Sequence, residues 1–472
     1  MTRESTRREF LIRTSCAALG AAAVSAGVKR FGLISALAQQ SAPSDYRALV
    51  CIFLNGGNDG NNTLIPLDAT GYNAYSAARS AAGLAIAQGS LLSITPPSIN
   101  MPFGLHPSLP QVKGLFDQHK LAIVSNVGPL VQPLTRDQYR NGAARPYQLF
   151  SHSDQVAQWS TARSDIKIQS GWGGRTADNT VSYNGSGTFP TITSVAGSTV
   201  FAIGLLTRPL AIAPAPTPLN QVLVLNGFNS SPEAVARRSS MDLLRTIDRQ
   251  AALIAAASDV TQQAVDIGLA LNVDPMLTTV FPATSLGNQL LQVAKVMKLN
   301  QTSPALSLNR QIFFCSLGGF DTHQNQVGSQ ATLLTQLDDA IKAFYDATVE
   351  LGIESRVTTF TLSDFGRTLQ PAGTGSAVVG SDHAWGNHQF VLGGAVAGGE
   401  FYGVAGSNGT VYPTLQLSGP DDTDSRGRWI PTASVEQYAA TLATWFGLAS
   451  ADLPTVFPLI GRFTTPNLGF LP

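Results

Sequence analysis

Aspartates and histidines in this chain cluster just beyond short apolar runs. Asp59 lies in Asn55-Gly56-Gly57-Asn58-Asp59-Gly60. Asp321 and His323 lie in Gly318-Gly319-Phe320-Asp321-Thr322-His323, and Asp364 in Ser363-Asp364-Phe365-Gly366-Arg367. Asp382-His383 and His388 follow in a glycine-rich stretch around Trp385. Imidazole nitrogens and carboxylate oxygens together suit a divalent cation, zinc or calcium among the candidates. Asp321 and His323 are two apart, so in extended backbone both point to one side, where two ligands of one ion belong. Asp59, Asp321, His323, Asp364 and His383 are therefore the candidate metal ligands. Each also has an ordinary reading. Asp59 sits among turn formers, Asp321 caps a turn beside a surface histidine, and Asp364 caps a helix or pairs with Arg367.

A second group lies in Phe150-Ser151-His152-Ser153-Asp154-Gln155. His152 and Asp154 are expected to line the site, with Asn58 and His388. Thr135 and Ser151, with Ser153 beside it, are the hydroxyls available as nucleophile. Arg367 or Arg136 would pair with the anionic oxygens of a substrate, because a guanidinium matches them bidentately. A divalent ion would polarise a phosphoryl or sulfuryl oxygen and lower the pKa of an attacking water or hydroxyl. His106 and His119 are expected to be structural.

Other chemistries fail on spacing. Gly56 to Gly60 has neither the glycine spacing nor the lysine of a phosphate loop. Ala405-Gly406-Ser407-Asn408-Gly409 loosely resembles a nucleophile elbow, but no histidine follows His388 to complete a triad. Gly57-Asn58-Asp59 matches one block of the Gly-Asp-Ser esterases, yet no Gly-Asp-Ser precedes it.

The positioning elements can be read from the same runs. Residues 48–54, 121–127, 311–317 and 357–362 read as buried strands, with a shorter one at 390–394. Residues 69–82, 109–119, 231–258, 285–299, 331–351 and 437–446 read as helices. Residues 132–162 read as loop and helix near the site. Residues 176–229, rich in Thr, Ser, Gly and Pro, read as an insertion or sheet edge. Alternating strands and helices predict an α/β fold, a doubly wound, mostly parallel sheet flanked by helices. Loops at the carboxyl ends of its strands would converge on one crevice.

The chain has 472 residues, 44% hydrophobic and 13% charged, enough for a large core in a single domain over 48–472. Lys+Arg 30 balances Asp+Glu 30, and no basic cluster interleaves with aromatics, so nucleic acid is not an expected partner. Of the 3 cysteines, Cys51 and Cys315 fall inside predicted strands, where buried inert thiols are expected rather than a disulfide. The first 38 residues read as an export signal. Arg7-Arg8 precedes Phe10-Leu11, then an Ala- and Gly-rich stretch and Ala36-Leu37-Ala38 as a cleavage site. Residues 39–47 read as a linker. The twin-arginine translocase is then a partner during export, and the mature protein is expected outside the cytoplasm without a membrane span.

These motifs resemble the exported bacterial family known as domain of unknown function 1501, within the alkaline phosphatase and sulfatase-like superfamily. The resemblance runs over residues 48–463 and is most specific at 53–66, 318–326, 362–368 with Asp382-His383, and 390–399. It implies a metal-dependent hydrolase of a small anionic phosphate or sulfate ester. The rival is a non-catalytic binding or cell-surface assembly protein on the same fold. By this resemblance Asp59 matches the aspartate after the first strand. Thr135, Ser151 and Ser153 occupy the region of the nucleophile. Asp321-x-His323 stands where an Asp-x-x-x-His pair occurs. Ser363-Asp364-Phe365-Gly366 stands for a Ser-Asp-His-Gly-like turn, with Phe365 in place of a ligand. His383, supported by His388, matches the last histidine.

Overall fold

The computed structural model describes residues 46–185, 189–225, 227–303, 306–373 and 379–472. The export signal expected at 1–38 and nearly all of the linker lie outside them. The long apolar runs are indeed strands, β1 (Arg47–Asn55), β2 (Leu121–Gly128), β5 (Arg310–Gly318) and β6 (Val357–Ser363); between the second and third of them in sequence lie two short strands, β3 (Ile192–Ser194) and β4 (Leu210–Ala211). A small antiparallel pair, β7 (Arg367–Pro371) and β8 (Ser381–His383), comes next. β9 (Asn387–Leu392), β10 (Phe401–Tyr402) and β11 (Ala433–Ser434) complete the set that frames the site. The main sheet runs β10-β2-β9-β6-β1-β5-β3-β4, with β11 also paired to β2. All its pairings are parallel except the two that β9 makes, with β2 and β6. The expected doubly wound, mostly parallel sheet is thus present, with one antiparallel strand inside it.

Alternation along β1 shows why it is central. Ala48, Val50, Ile52 and Leu54 enter one buried cluster with helices α4 (Ser285–Thr302) and α5 (Gln326–Glu350). Leu49, Cys51 and Phe53 enter the other, with α3 (Trp172–Thr180) and α6 (Val435–Phe446). A strand buried on both faces needs such an unbroken apolar run. Two further helices matter below, α1 (Ala69–Arg79) and α2 (His152–Thr161).

Of the two readings of 176–229, the structure shows the sheet edge, because β3 and β4 within it extend the main sheet beyond β5. One sequence expectation changes form. The single helix expected over 231–258 is instead two helices, Pro232–Leu244 and Ala252–Ala270. Cys51 and Cys315 are free and buried in neighbouring strands. No helix among the described residues is long and apolar enough to cross a membrane.

Candidate metal centre

Register brings the site loops to one level. Asn55 lies opposite Gly318 and Leu54 opposite Ser363, so the loops after β1, β5 and β6 leave the sheet together. Close approach requires glycine at two points. Gly56, at φ +111°, has no room for a Cβ, which would lie 2.3 Å from the Asp321 amide nitrogen. A Cβ on Gly380 would lie 2.1 Å from the Thr322 carbonyl oxygen. These contacts fix the 319–323 loop from both sides.

Three side chains converge there. His152, Asp321 and His383 each offer a ligand atom within 4.8 Å of the others. The Nε2 atoms of His152 and His383 are 3.1 Å apart, and Asp321 Oδ1 is 3.4 Å from the first and 3.5 Å from the second. His323 joins from the other side, its Nε2 3.0 Å from His383 Nε2 and 3.0 Å from Asp321 Oδ1. Asp321 and His323 are 49% and 41% exposed, so the cluster opens to solvent.

The outer nitrogens show what the inner ones can do. His383 Nδ1 is 2.8 Å from the Phe150 carbonyl oxygen, which can only accept, so this nitrogen carries a proton and donates it. His152 Nδ1 donates to Asp364 Oδ2 at 2.7 Å. His323 Nδ1 faces Asp382 Oδ1 at 3.4 Å. In their neutral form, rings held this way turn lone pairs inward at Nε2. Two lone pairs at 3.1 Å cannot hydrogen-bond each other, and a carboxylate oxygen beside them adds to the repulsion. A proton on one ring or a metal ion between them resolves it, and the donor set fits a metal ion. Three imidazoles favour zinc or another borderline transition ion over calcium, which prefers all-oxygen shells. The Asp364 hydrogen bond raises the His152 pKa, while burial lowers that of His383. Burial pushes the Asp321 carboxyl up, but the Arg367 hydrogen bond and charge outweigh it and hold it below its ordinary value.

Aromatic packing and one buried arginine fix these groups. The Phe365 ring stacks on His383 at 4.6 Å and lies 4.7 Å from His152, so it orients two imidazoles. Phe150, at φ +69°, is held in the left-handed region, and its carbonyl serves His383. Arg367 is buried and donates to the carbonyls of Gly56, Gly57, Phe320 and Ser381 and to Asp321 Oδ1. All three of its nitrogens are engaged and it is 1% exposed, so here it positions loops and Asp321. Arg136 donates to the carbonyls of Asp422 and Asp424 and also lies apart from the cluster.

Several expected site residues are placed elsewhere. Asp59 does not reach the cluster. Its carboxylate is fully buried, pairs with Arg79 of α1 at 2.5 Å, caps Asn61 and accepts from Gln326. Asp364 stands one step back, accepting from His152 and from the Gly56 amide. His388 is buried against Ser125, stacks on Tyr412, and is lowered by burial to about 3. Asn58 is tied to Thr63, Ser363 and Gln330. Thr135 forms a capping box with Gln138. Ser151 precedes His152 and donates to Asp154 at 2.7 Å, while Lys167 pairs with Asp154 at 2.6 Å. His152, read from sequence as lining, is central. No apolar strand immediately precedes it to announce it. The available signal was its place at the first turn of a helix behind the helix-capping Ser151.

The model of the family "Protein of unknown function (DUF1501)" matches residues 46–414. No curated protein matches. Among solved structures, the chain is similar to a sulfatase from Pseudoalteromonas sp. at 10% identity, over 79% of this chain and 67% of that one, with a TM-score of 0.30. A 2-O GAG sulfatase shares 8% identity over 88% and 75%, at 0.30. The alkaline phosphatase of the Antarctic bacterium TAB5 shares 10% over 75% and 92%, at 0.22. Scores this low carry no inference about chemistry, which rests on the side chains above.

Proposed function

We propose that this chain, which belongs to the DUF1501 family, is an exported metal-dependent hydrolase of a phosphate or sulfate ester. The observation that carries the reading is the inward convergence of His152, His383 and Asp321, with both imidazoles locked by acceptors at Nδ1. Those three residues and His323 would hold the ion, zinc being the first candidate. When bound, it would supply Lewis acidity toward an anionic ester oxygen. The protein's own groups do the rest. Phe365 and Arg367 hold the ligands in place, and the exposed side of Asp321 and His323 gives the ester access. Arg428 donates through Nε to the His383 carbonyl at 2.9 Å, lies over the Phe150 ring and pairs with Asp424 at 2.7 Å, so it helps to hold the His383 backbone in place. Ser151, adjacent to His152 and bonded to Asp154, is the hydroxyl proposed as nucleophile, and water is the alternative. Export through the twin-arginine translocase to the periplasm or beyond rests on Arg7-Arg8 and the segment behind them.

The test is hydrolysis of aryl phosphate and aryl sulfate by metal-loaded mature protein, compared with His383→Ala and with chelated protein. The expected result is turnover of one ester class, lost by at least about 100-fold in both controls, since even changes around a ligand cost roughly 10–100-fold. No turnover of either class by protein that holds its metal would favour the non-catalytic binding reading. Equal turnover in His383→Ala would place the activity elsewhere.

A further inference from the structure

At the far end of α2, about 15 Å along the helix from His152, lies a cavity of about 1020 Å³. That is at the upper end of the range of roughly 300–1,000 Å³ for small-molecule sites. Three arginines line it, Arg163, Arg175 and Arg208, and no carboxylate does. Arg163 spends its Nε and Nη2 on Asp165 at 2.8 and 3.1 Å. Arg175 is buried, and the strongest of its bonds go to the carbonyls of Val456, Ser170 and Thr161. Its donors go to neutral acceptors, and no carboxylate bonds it directly. Burial, aided by the like charge of Arg163 and only partly offset by the charges of Glu436 and Asp178, brings its pKa down to about 10. Arg208 is exposed and uses Nη1 for the Gly204 and Thr207 carbonyls. Its Nε and Nη2, one full edge of the fork, bond no described residue. Val200, Ile203, Leu205 and Pro458 give the lining an apolar part beside the polar Gln169, Ser170 and Thr455, and Leu205 is left 70% exposed at the rim.

We propose that this cavity binds an amphiphilic oxyanion, a monoester with a tetrahedral anionic head and an apolar tail, at a site independent of the metal centre. The free edge of Arg208 matches two oxygens of the head. The charge of Arg175 at the wall, to which no carboxylate is directly bonded, favours an anion over a neutral ligand. The apolar wall and rim take the tail, and removing Leu205 from water adds to binding. The head is sulfate or phosphate, and both present the same oxygens to the fork. The site does not depend on the hydrolase reading, because none of its residues touches His152, Asp321, His323 or His383.

Calorimetric titration of the mature protein with octyl sulfate and with octyl phosphate, each below its micellar concentration, tests this, with octanol as the neutral control. One equivalent of at least one ester should bind, at least about tenfold tighter than octanol, and the stronger of the two identifies the head. Arg208→Gln removes the fork, and Leu205→Asp puts a like charge at the rim. Both positions are exposed, so the variants should fold, as circular dichroism would verify. Each should weaken binding about tenfold or more, the size expected for a charge-assisted hydrogen bond. His383→Ala should bind as the parent does. Absence of binding at millimolar ester, equal binding of octanol, or unchanged affinity in both variants would overturn the proposal. Loss of binding in His383→Ala would move the ester to the metal centre and overturn it as well.

Discussion

Asp59, Asp321 and Asp364 each follow a buried strand, yet their surroundings give them three different roles. Asp59 is buried with Arg79, both side chains at 0% exposure. Burial would lower the Arg79 pKa, but the Asp59 carboxylate outweighs it and raises that pKa. Asp59→Asn should therefore act on stability and leave metal binding intact. Removing one partner of a buried pair strands the other charge, at a cost of about 3–5 kcal/mol. Urea denaturation would measure that loss, and elemental analysis should find the metal content of the variant unchanged. A variant of normal stability without metal would return Asp59 to the coordination sphere. Sequence could not separate the three aspartates. What distinguishes them is Arg79, Arg367 and His152, the last two brought in from 46 and 212 positions away. His323 and His383 stood out because each is near an aspartate in a loop at a strand end. His152 did not, because a long loop and a helix start deliver it. Phe365 makes its contribution by stacking on His383 and packing against His152.

Strands were the most legible elements. An apolar run bounded by glycine and aspartate fits a strand buried on both faces, and β1, β2, β5 and β6 match their predicted spans closely. The antiparallel sense of β9 and the exact spans and partners of β3 and β4 were not legible, though 176–229 did read as an insertion or sheet edge, since two- to six-residue strands are defined by their neighbours more than by composition. Helix α6 shows tertiary context overriding local preference. Ser434 and Gln437 form its capping box, and Glu436 sits in its first turn, where a carboxylate is ordinarily favoured. But Glu436 is 1% exposed, and burial pushes its carboxyl from 4.5 up to about 8. Between those values the folded protein keeps a proton that the unfolded chain has released. The contribution is fully present below pH 4.5 and is lost as pH rises through about 8. Melting temperature should therefore fall with pH across that window, and Glu436→Gln should flatten the slope. An unchanged slope in that variant would assign the pH dependence to other groups.

At the scale of the molecule, the candidate metal centre draws together side chains far apart in the chain. His152 opens α2, Asp321 and His323 belong to the loop after β5, and His383 ends β8. An ion held by all of them binds the folded state and not the unfolded one, so its removal should lower stability. Ligand linkage puts this at about 4 kcal/mol for a metal at a thousand times its dissociation constant. Scanning calorimetry should show a chelator lowering the melting temperature of the parent by several degrees and leaving His383→Ala unmoved. Equal shifts in both proteins would locate the ion at another site. The most direct measurement is elemental analysis joined to X-ray absorption on the mature protein reconstituted with zinc. The account predicts one ion per chain with nitrogen and oxygen ligands at about 2.0–2.2 Å, absent from a His152→Ala, His383→Ala double variant that still folds. Parent protein that takes up no stoichiometric metal, or a double variant that retains it, would contradict the account.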